Sequence, residues 1–237
     1  MSIKIKTCVV IPCFKVRNQI EKVVSDINKL KITKIFLIDD NCPENTGKFM
    51  KSKKIKNLEI TILKKNLGVG GATLVGFEKA IKKKFDIVFK IDGDGQHDPK
   101  DIPKFLKYLK DNKIKFCKGT RFYNKRERSK IPFIRKIGNI LLTYMSRINC
   151  RNFDLNDVVN GFLGIKVSIL RKIDFKLISK DFFFEEDLLF RICMFEKNIK
   201  EIPIKTVYNY KSNLNPLKIV VPFFFKHLKN FIIILFK

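Results

Sequence analysis

Two patterns of apolar and polar positions alternate along the first half of the chain. Short, near-continuous apolar runs are typical of strands buried on both faces, and apolar residues spaced three or four apart are typical of one helix face. The strand-like runs are TCVVIPCF, KIFLIDD, LEITIL, DIVFKI and KFCKGTRF, and the helix-like segments are QIEKVVSDINKL, ATLVGFEKAIKKKF and PKDIPKFLKYLKDN. This alternation predicts an α/β fold with a mostly parallel sheet flanked by helices.

From about residue 123 the pattern is less regular. PFIRKIGNILLTYMSRI and FFFEEDLLFRICMFEKN predict two helices and IKEIPIKTVY a last strand, whereas YNKRERSK and DLNDVVNGF are interpreted as loops. In the first half, NCPENTG is interpreted as a polar turn and KKNLGVGG as a loop. No linker-like change in composition separates the two halves. We therefore expect a single domain over residues 1–212, followed by an apolar tail over residues 213–237.

The tail LKIVVPFFFKHLKNFIIILFK is apolar, but three lysines and Pro222 interrupt it. A spanning helix needs about 20 mostly apolar residues, and a lysine in the middle of a bilayer is costly. The pattern favours an amphipathic helix lying in a membrane interface, with phenylalanine and isoleucine buried and lysine facing the headgroups. Two alternatives stay open: Phe223–Phe225 pack on the domain core, or tails bury each other in an oligomer.

The composition predicts that the protein attracts anions strongly. The chain has a formal net charge of +27, and 41 of its 50 basic residues are lysine, which indicates a compositional bias rather than a nucleic-acid-binding patch. No nucleic-acid-binding motif is evident, so nucleic acid is not an expected partner. The six cysteines have no metal-ligand spacing, which predicts reduced thiols in a cytosolic compartment. MSIKIKTCVVIPCF is interpreted as a first strand rather than a signal peptide.

Acidic residues follow two of the predicted strands. Asp92 and Asp94 lie in IDGDGQHDP directly after DIVF, and Asp39 and Asp40 end KIFLIDD. Ligands of open α/β sheets bind beyond the carboxyl ends of the strands, and paired carboxylates there suit Mg²⁺ or Mn²⁺, whose usual partners are phosphates. Gln96 and His97 are further candidate ligands.

The glycine-rich segment NLGVGGA precedes a predicted helix. Its backbone at a helix N-terminus suits a phosphate, but it matches neither the P-loop nor the dinucleotide-binding pattern. The alternative is a tight connection that needs small residues.

Taken in order, these segments resemble family 2 glycosyltransferases of the GT-A fold, in particular the dolichyl- and polyprenyl-phosphate mannosyl- and glucosyltransferases. The resemblance runs over about residues 7–212 through VVIPCF, FLIDDNCPENTG, NLGVGGATLVGFEKA, FKIDGDGQHDP, KGTRF, DVVNGF and EIPIKTVY. It implies a GT-A (Rossmann-like) domain that transfers a sugar, with inversion, from a nucleotide sugar to a polyprenyl or dolichyl phosphate. The expected place of action is the cytoplasmic face of a membrane, with peripheral attachment.

The resemblance also implies roles for particular residues. It places the Mg²⁺ or Mn²⁺ ligands at Asp92, Asp94 and Gln96, with Asp94 also acting in catalysis. The arginines expected to hold the acceptor phosphate are Arg121 and Arg135. Nucleotide-sugar contacts are expected at Pro12, Asp39, Asp40, Gly68, Asp92 and Gly93, and the family's Asp-x-x-x-Gly-Phe motif falls on Asp157, Gly161 and Phe162.

Three departures from the family pattern leave the donor open between GDP-mannose and a UDP-hexose. Lys15-Val16 stands where Asn-Glu is usual, Leu163 where a basic residue often follows Gly-Phe, and Asn209 where mannosyltransferases have arginine. One alternative is a hydroxyl acceptor on a surface glycan, activated by a carboxylate base near Asp187. A minor alternative is a haloacid-dehalogenase-type phosphatase, because that class also carries Asp-x-Asp at the end of a strand.

Overall fold

The computed structural model describes residues 5–123, 125–129, 131, 133–205 and 216–236. For residues 126, 127, 134, 135 and 216–220 it describes the backbone alone. Asn209 and the expected boundary at residues 212–213 lie outside the described residues, as does the side chain of Arg135.

Within the described part of the chain, seven strands form one sheet. They are β1 (Thr7–Cys13), β2 (Lys34–Asp39), β3 (Leu58–Ile62), β4 (Ile87–Lys90), β5 (Phe116–Thr120), β6 (Leu163–Lys166) and β7 (Ile199–Pro203). Their order is β3-β2-β1-β4-β6-β5-β7, and β6 runs antiparallel to both of its neighbours while the other pairs are parallel. The predicted mostly parallel α/β sheet is confirmed.

Helices cover both faces of this sheet. They are α1 (Arg17–Asn28), α2 (Thr46–Ser52), α3 (Gly68–Lys82), α4 (Ile102–Leu109), α5 (Lys125–Ser129), α6 (Phe133–Cys150), α7 (Val167–Leu170), α8 (Phe184–Cys193) and α9 (Pro216–Leu235). Helices α1 and α4 pack into one apolar cluster, and α3, α6, α8 and α9 contribute to the cluster on the other face. Successive strand residues alternate between these clusters, because side chains in a strand point to opposite faces.

Several sequence-based boundaries were wrong. NCPENTG was interpreted as a turn and YNKRERSK as a loop, but α2 begins at Thr46 and α5 covers Lys125–Ser129. Helix α3 begins at Gly68, inside the segment that was interpreted as a loop. Strand β6 was not predicted: it has only four residues, and its pairing with β4 and β5 depends on residues far away in the sequence.

The apolar tail forms helix α9, which packs against α6 and α8. Phe223 is buried against Phe183 with their ring centroids 5.0 Å apart, whereas Phe224 and Phe225 are exposed. Of the two packing alternatives for Phe223–Phe225, burial on the domain core is therefore realised at Phe223 alone. Among the described residues, no helix has both the length and the hydropathy needed to cross a bilayer.

Candidate active site

The strand register brings the predicted acidic segments together at one edge of the sheet. Cys13 of β1 lies opposite Asp39 of β2, and the N–H of Asp40 donates to the carbonyl of Cys13. On the other side of β1, Val10 lies opposite Lys90, the last residue of β4, so the IDGDGQ segment begins beside the end of β1. Gly93 lies so close to the end of β1 that an added Cβ would be 3.2 Å from Sγ of Cys13. The end of β2 with Asp39 and the IDGDGQ segment thus lie on either side of the end of β1.

Asp92 and Asp94 have different electrostatic surroundings. Burial acts to raise the pKa of Asp92, but the adjacent Lys90 ammonium outweighs it and holds this pKa below its usual value. Burial and the negative charge of Asp92 raise the pKa of Asp94 to about 6. One oxygen of Asp94 accepts a hydrogen bond from the backbone N–H of Gln96 at 3.0 Å. Among the side chains that the structure describes, none forms an ion pair with Asp94, which favours a cation from outside.

The donor set fits a hard divalent cation that completes its coordination with substrate oxygens. The described residues contain no ready-made cluster of three or more His, Cys, Asp or Glu side chains around one point. Mg²⁺ and related ions are often held by one or two carboxylates together with nucleotide phosphates and water. Asp94 and Asp92, through the Oδ2 that is not paired with Lys90, would supply these carboxylates, and Gln96 lies beside them. His97 is buried, with its ring tilted by 43° against that of Phe162, and burial lowers its pKa to about 4, so its imidazole is neutral.

A buried lysine stands behind this acidic pair, and sequence reasoning missed it. Nζ of Lys90 lies 2.7 Å from Oδ1 of Asp92 and 2.7 Å from Oε1 of Glu185 on α8, and its side chain is completely buried. Gly161 covers this triad: a Cβ there would be 2.5 Å from Oδ2 of Asp92 and 2.6 Å from Nζ of Lys90. The Gly of the Asp-x-x-x-Gly-Phe motif is therefore required by the close approach of the backbone to three charged groups.

A second buried lysine, Lys118 of β5, lies on the same face of the sheet. Lys90 and Lys118 both pair in register with Leu163 of β6, one on each side of it. Nζ of Lys118 donates to the carbonyl of Asn160, and burial lowers its pKa to about 8. Two lysines thus flank the leucine that stands where the family often has a basic residue. The signal that could have revealed these buried lysines in the sequence is the presence of one lysine inside each of two apolar strand segments.

Arg121 follows β5 and is held by Asp157. Its Nε lies 2.7 Å from Oδ2 and its Nη2 2.7 Å from Oδ1 of that buried carboxylate, which also accepts from the backbone N–H of Arg121 at 2.9 Å. Asn139 of α6 donates to Oδ1 of Asp157 at 3.0 Å. Burial acts to raise the pKa of Asp157, but Arg121 keeps it below its usual value. The guanidinium is therefore fixed in direction by a bidentate pair with the carboxylate of Asp157.

Asp39 and Asp40 are adjacent but have different roles. Both oxygens of Asp39 accept backbone hydrogen bonds, from the N–H of Cys42 at 2.7 Å and from that of Gly47 in α2. Asp39 thus holds the turn into α2. Asp40 accepts from the N–H of Leu67 at 2.6 Å, and burial raises its pKa. It joins the end of β2 to the glycine-rich segment, and the nucleotide contacts expected for both residues stay predictions.

The glycine-rich segment packs tightly against residues 179–181. Gly68 has φ of 80°, and a Cβ there would be 2.5 Å from the carbonyl oxygen of Lys180. That carbonyl also accepts from the N–H groups of Gly70 at 2.9 Å and Gly71 at 3.1 Å. These two donors are engaged within the protein, so the geometry favours the tight connection over a phosphate cradle. A nucleotide contact of Gly68 stays a prediction.

The structure does not present Asp187 to the acidic pair. Its Oδ2 accepts from the N–H of Ser179 at 2.8 Å, and its Oδ1 lies 3.4 Å from Nδ2 of Asn230 on α9. The carboxylate is buried and is engaged in attaching α9 to α8. Glu185, two residues earlier, is the acid of this helix that reaches the site, through Lys90. A role for Asp187 as a general base has no support in this geometry.

Known proteins are similar to this chain over most of its length. Residues 8–174 match the family model described as Glycosyl transferase family 2. The UDP-N-acetylglucosamine–dolichyl-phosphate N-acetylglucosaminyltransferase of Methanococcus voltae is 27% identical over 228 residues, which cover 90% of each chain. The undecaprenyl-phosphate mannosyltransferase of Micrococcus luteus is 26% identical over 197 residues and 80% of each chain.

A solved structure shows the same fold. The glucosyl-3-phosphoglycerate synthase of Mycobacterium tuberculosis, in complex with Mn²⁺, UDP and phosphoglyceric acid, superposes with a TM-score of 0.70 at 14% identity. The match covers 94% of this chain and 78% of the synthase. The likeness to this solved structure concerns the fold alone. The family model covers more than half of the chain, and this match excludes the phosphatase alternative. The chain belongs to glycosyl transferase family 2 and is a glycosyltransferase with the GT-A fold.

Proposed function

We propose that this glycosyltransferase moves a sugar from a nucleotide sugar to a polyprenyl or dolichyl phosphate, with inversion. The observation that carries the proposal is the joint position of the Asp92–Asp94 pair and the Arg121–Asp157 ion pair, each immediately after a strand of the same sheet. The acidic pair suits the diphosphate side of the donor, and the fixed guanidinium suits an acceptor phosphate. The names of the relatives from Methanococcus voltae and Micrococcus luteus support a lipid-phosphate acceptor.

The chemistry needs positioning more than proton transfer. An acceptor phosphate oxygen forms a bond to the anomeric carbon while the bond from that carbon to the diphosphate breaks, and a single displacement inverts the configuration. A phosphate monoester is largely ionised at neutral pH, since its second pKa is about 6. No strong general base is then required, in agreement with the engaged carboxylate of Asp187. Arg121, held by Asp157, orients the acceptor oxygen.

The residues fit a catalytic Mg²⁺ or Mn²⁺, held by Asp94 and Asp92 with Gln96 beside them. When bound, such an ion offsets the negative charge that develops on the leaving nucleoside diphosphate. The donor is GDP-mannose or a UDP-hexose, and the named donor of the Methanococcus voltae relative favours a UDP-sugar. The place of action is the cytoplasmic face of a membrane, with α9 in peripheral contact. A hydroxyl acceptor is a weaker candidate, because it requires a free base.

The test is transfer from radiolabelled UDP-glucose, UDP-N-acetylglucosamine and GDP-mannose to a polyprenyl phosphate in detergent, with and without EDTA. One donor is expected to give EDTA-sensitive, lipid-soluble product. Asp94→Ala should lower the rate by about 10²–10³-fold, the usual cost of losing one electrostatic stabiliser. Asp98→Ala is the control, because Asp98 follows the same segment but caps the turn at Lys100. Product formed on a sugar alcohol but on no lipid phosphate would refute the acceptor.

A further inference from the structure

Three charged side chains form a row behind the acidic pair. Nζ of Lys90 lies 2.7 Å from Oδ1 of Asp92 and 2.7 Å from Oε1 of Glu185. The side chain of Asp92 is 28% exposed, whereas that of Glu185 is 10% exposed and that of Lys90 is completely buried. The row therefore begins with Asp92 at the edge of the candidate site and continues into the protein, with Lys90 as its central member.

The geometry of the strand explains why this row forms. Successive side chains of a strand point to opposite faces of the sheet. Phe89 and Ile91 belong to the apolar cluster under α1 and α4, so Lys90 points to the other face, which α8 covers. Asp92 follows on the same side, as its contact with Lys90 shows. Glu185, in the first turn of α8, thus meets a lysine that lies 95 positions away in the sequence.

A lysine at the end of β4 does not favour the fold by itself. Residues 87–89 of this strand are apolar, as expected where both faces of a sheet are covered. Taking an ammonium and a carboxylate out of water carries a large penalty, and well-packed apolar side chains in place of a buried ion pair are often neutral or stabilising. Departures from such local rules are expected where a functional site needs them. The buried Lys90–Glu185 pair is therefore better explained by the site than by stability.

We propose that Lys90 is a positioning residue that holds the carboxylate of Asp92 ready for a cation, with Glu185 as its charge partner. Lys90 engages Oδ1 of Asp92, so Oδ2 is left for the cation and the carboxylate does not have to reorient when the cation binds. Glu185 balances the charge of Lys90, which would otherwise oppose a divalent cation nearby. The inference rests on the proposed function, because it concerns the Mg²⁺ or Mn²⁺ that Asp92 and Asp94 would hold.

The other neighbours of Asp92 do not replace this hold. Nδ1 of His97 lies 3.7 Å from Oδ2 of Asp92, beyond hydrogen-bond distance, and it has no hydrogen-bond partner among the described residues. Gly161 presents no side chain, and a Cβ there would be 2.5 Å from the same Oδ2. The 2.7 Å contact with Lys90 is therefore the one that fixes the direction of Asp92.

The decisive variant removes both members of the buried pair, as Lys90→Met/Glu185→Leu. It deletes one positive and one negative charge, so the net charge beside the site is unchanged and neither partner is left buried alone. The far-UV circular dichroism and the urea midpoint should stay close to the wild type, since apolar replacement of a buried ion pair is often neutral. Electron paramagnetic resonance titration of free Mn²⁺, in the presence of UDP or of GDP, measures the cation affinity. We expect this affinity to fall by about 10–100-fold, the usual effect of losing a residue that orients a metal ligand.

Two single variants separate orientation from charge. Lys90→Met removes a positive charge beside the cation, so electrostatics alone would tighten Mn²⁺ binding, whereas loss of the hold on Asp92 weakens it. Lys118→Met is the matched control. Lys118 is also buried in a strand of the same sheet, but its ammonium donates to the carbonyl of Asn160 and not to a carboxylate. Only Lys90→Met should lower the affinity for Mn²⁺.

The outcomes keep this inference apart from the proposed function. A folded double variant that binds Mn²⁺ as tightly as the wild type would overturn the inference and leave the pair as a fastening of α8 to the sheet. A wild type that binds Mn²⁺ with neither nucleoside diphosphate would overturn it together with the proposed cation. If the wild type binds Mn²⁺ but transfers no sugar to a lipid phosphate, the proposed acceptor is wrong, while the affinities still decide the role of Lys90.

A third variant decides the question if the double variant does not fold. Glu185→Gln keeps an oxygen that accepts from Lys90 but leaves the charge of Lys90 unbalanced beside the cation. The affinity for Mn²⁺ should then fall by at least about tenfold, with a urea midpoint closer to that of the wild type than the double variant would have. An unchanged affinity in Glu185→Gln would overturn the part assigned to Glu185, and an unchanged affinity in Lys90→Met would overturn the part assigned to Lys90.

Discussion

Nε2 of His227 lies 2.6 Å from Oε2 of Glu186, and both side chains are buried. This hydrogen bond joins helix α9, formed by the apolar tail, to the first turn of α8. Burial raises the pKa of Glu186, and the hydrogen bond from His227 opposes that rise. The next residue of the same turn, Asp187, contacts Asn230, and Asp181 pairs with Lys226. The tail helix is thus attached to the domain by polar groups that only a folded α9 can supply.

His227→Leu should therefore destabilise the whole domain. Removing one partner of a buried hydrogen bond costs roughly 1–3 kcal/mol, because the other polar group is left unsatisfied. The free energy of unfolding from urea titration checks this. Lys229→Ala, at an exposed position of α9, should change it by less than about 0.5 kcal/mol. In a double-mutant cycle, Glu186→Leu should recover at least about 1 kcal/mol in the His227→Leu background. Additive changes in the free energy of unfolding would show that His227 and Glu186 are not coupled.

Arg121→Lys should impair acceptor use and leave donor binding almost unchanged. Lysine carries the same charge but cannot make the two parallel hydrogen bonds that join Arg121 to Asp157. We expect kcat/KM for the lipid phosphate to fall by at least about tenfold, since a charge-assisted bond contributes about 1.5–3 kcal/mol. Arg171→Lys, on the surface after α7, is the control. Equal losses in nucleotide affinity and in acceptor use would contradict a specific acceptor role.

The lowered pKa of Lys118 predicts that the stability of the fold depends on pH in the alkaline range. Its pKa is about 8 in the folded protein and near 10.5 in the unfolded chain, so the unfolded chain binds more protons between these values. Stability should therefore rise with pH from about 8 to 10.5, by up to roughly 1.4 kcal/mol per pH unit. The check is the free energy of unfolding in urea at pH 7.5 and 9.5, for the wild type and Lys118→Met. The buried cysteines contribute to both proteins, so the difference between the two pH effects isolates Lys118. Equal pH effects in the wild type and Lys118→Met would contradict the lowered pKa of Lys118.

The sequence was informative where structure depends on local signals. The end of β4 and the acidic pair were predicted because an apolar run, a glycine-rich turn and two carboxylates occur within a few residues. Lys90 was missed because the residue that explains its burial, Glu185, lies 95 positions away. Asp39 and Asp40 could not be told apart, since the role of Asp39 depends on α2, whose start was interpreted as a turn, and that of Asp40 on Leu67, 27 positions away.

The same limit applies to the helices of the second half. The apolar periodicity of α6 was recognised, but periodicity alone does not tell which face is buried. Only the tertiary contacts show that the polar stripe with Asn139 and Asn149 faces inward. Likewise, for the acids of α8 the sequence suggested only a base near Asp187. In the structure each acid has its own partner: Lys90 for Glu185, His227 for Glu186, and Asn230 for Asp187.

Gly161→Ala tests whether the Lys90 triad supports the proposed metal site. The new methyl group would be 2.5 Å from Oδ2 of Asp92 and 2.6 Å from Nζ of Lys90, distances that real Cβ atoms do not tolerate. Lys90 is completely buried and has little room to shift, so we expect a stability loss of about 1–3 kcal/mol, as for an overpacked core. Because Asp92 moves, the affinity for Mn²⁺ in the presence of the nucleoside diphosphate should fall as well. Electron paramagnetic resonance titration of free Mn²⁺ measures this without any turnover. A destabilised variant that binds Mn²⁺ as tightly as the wild type would mean that the triad serves the fold alone.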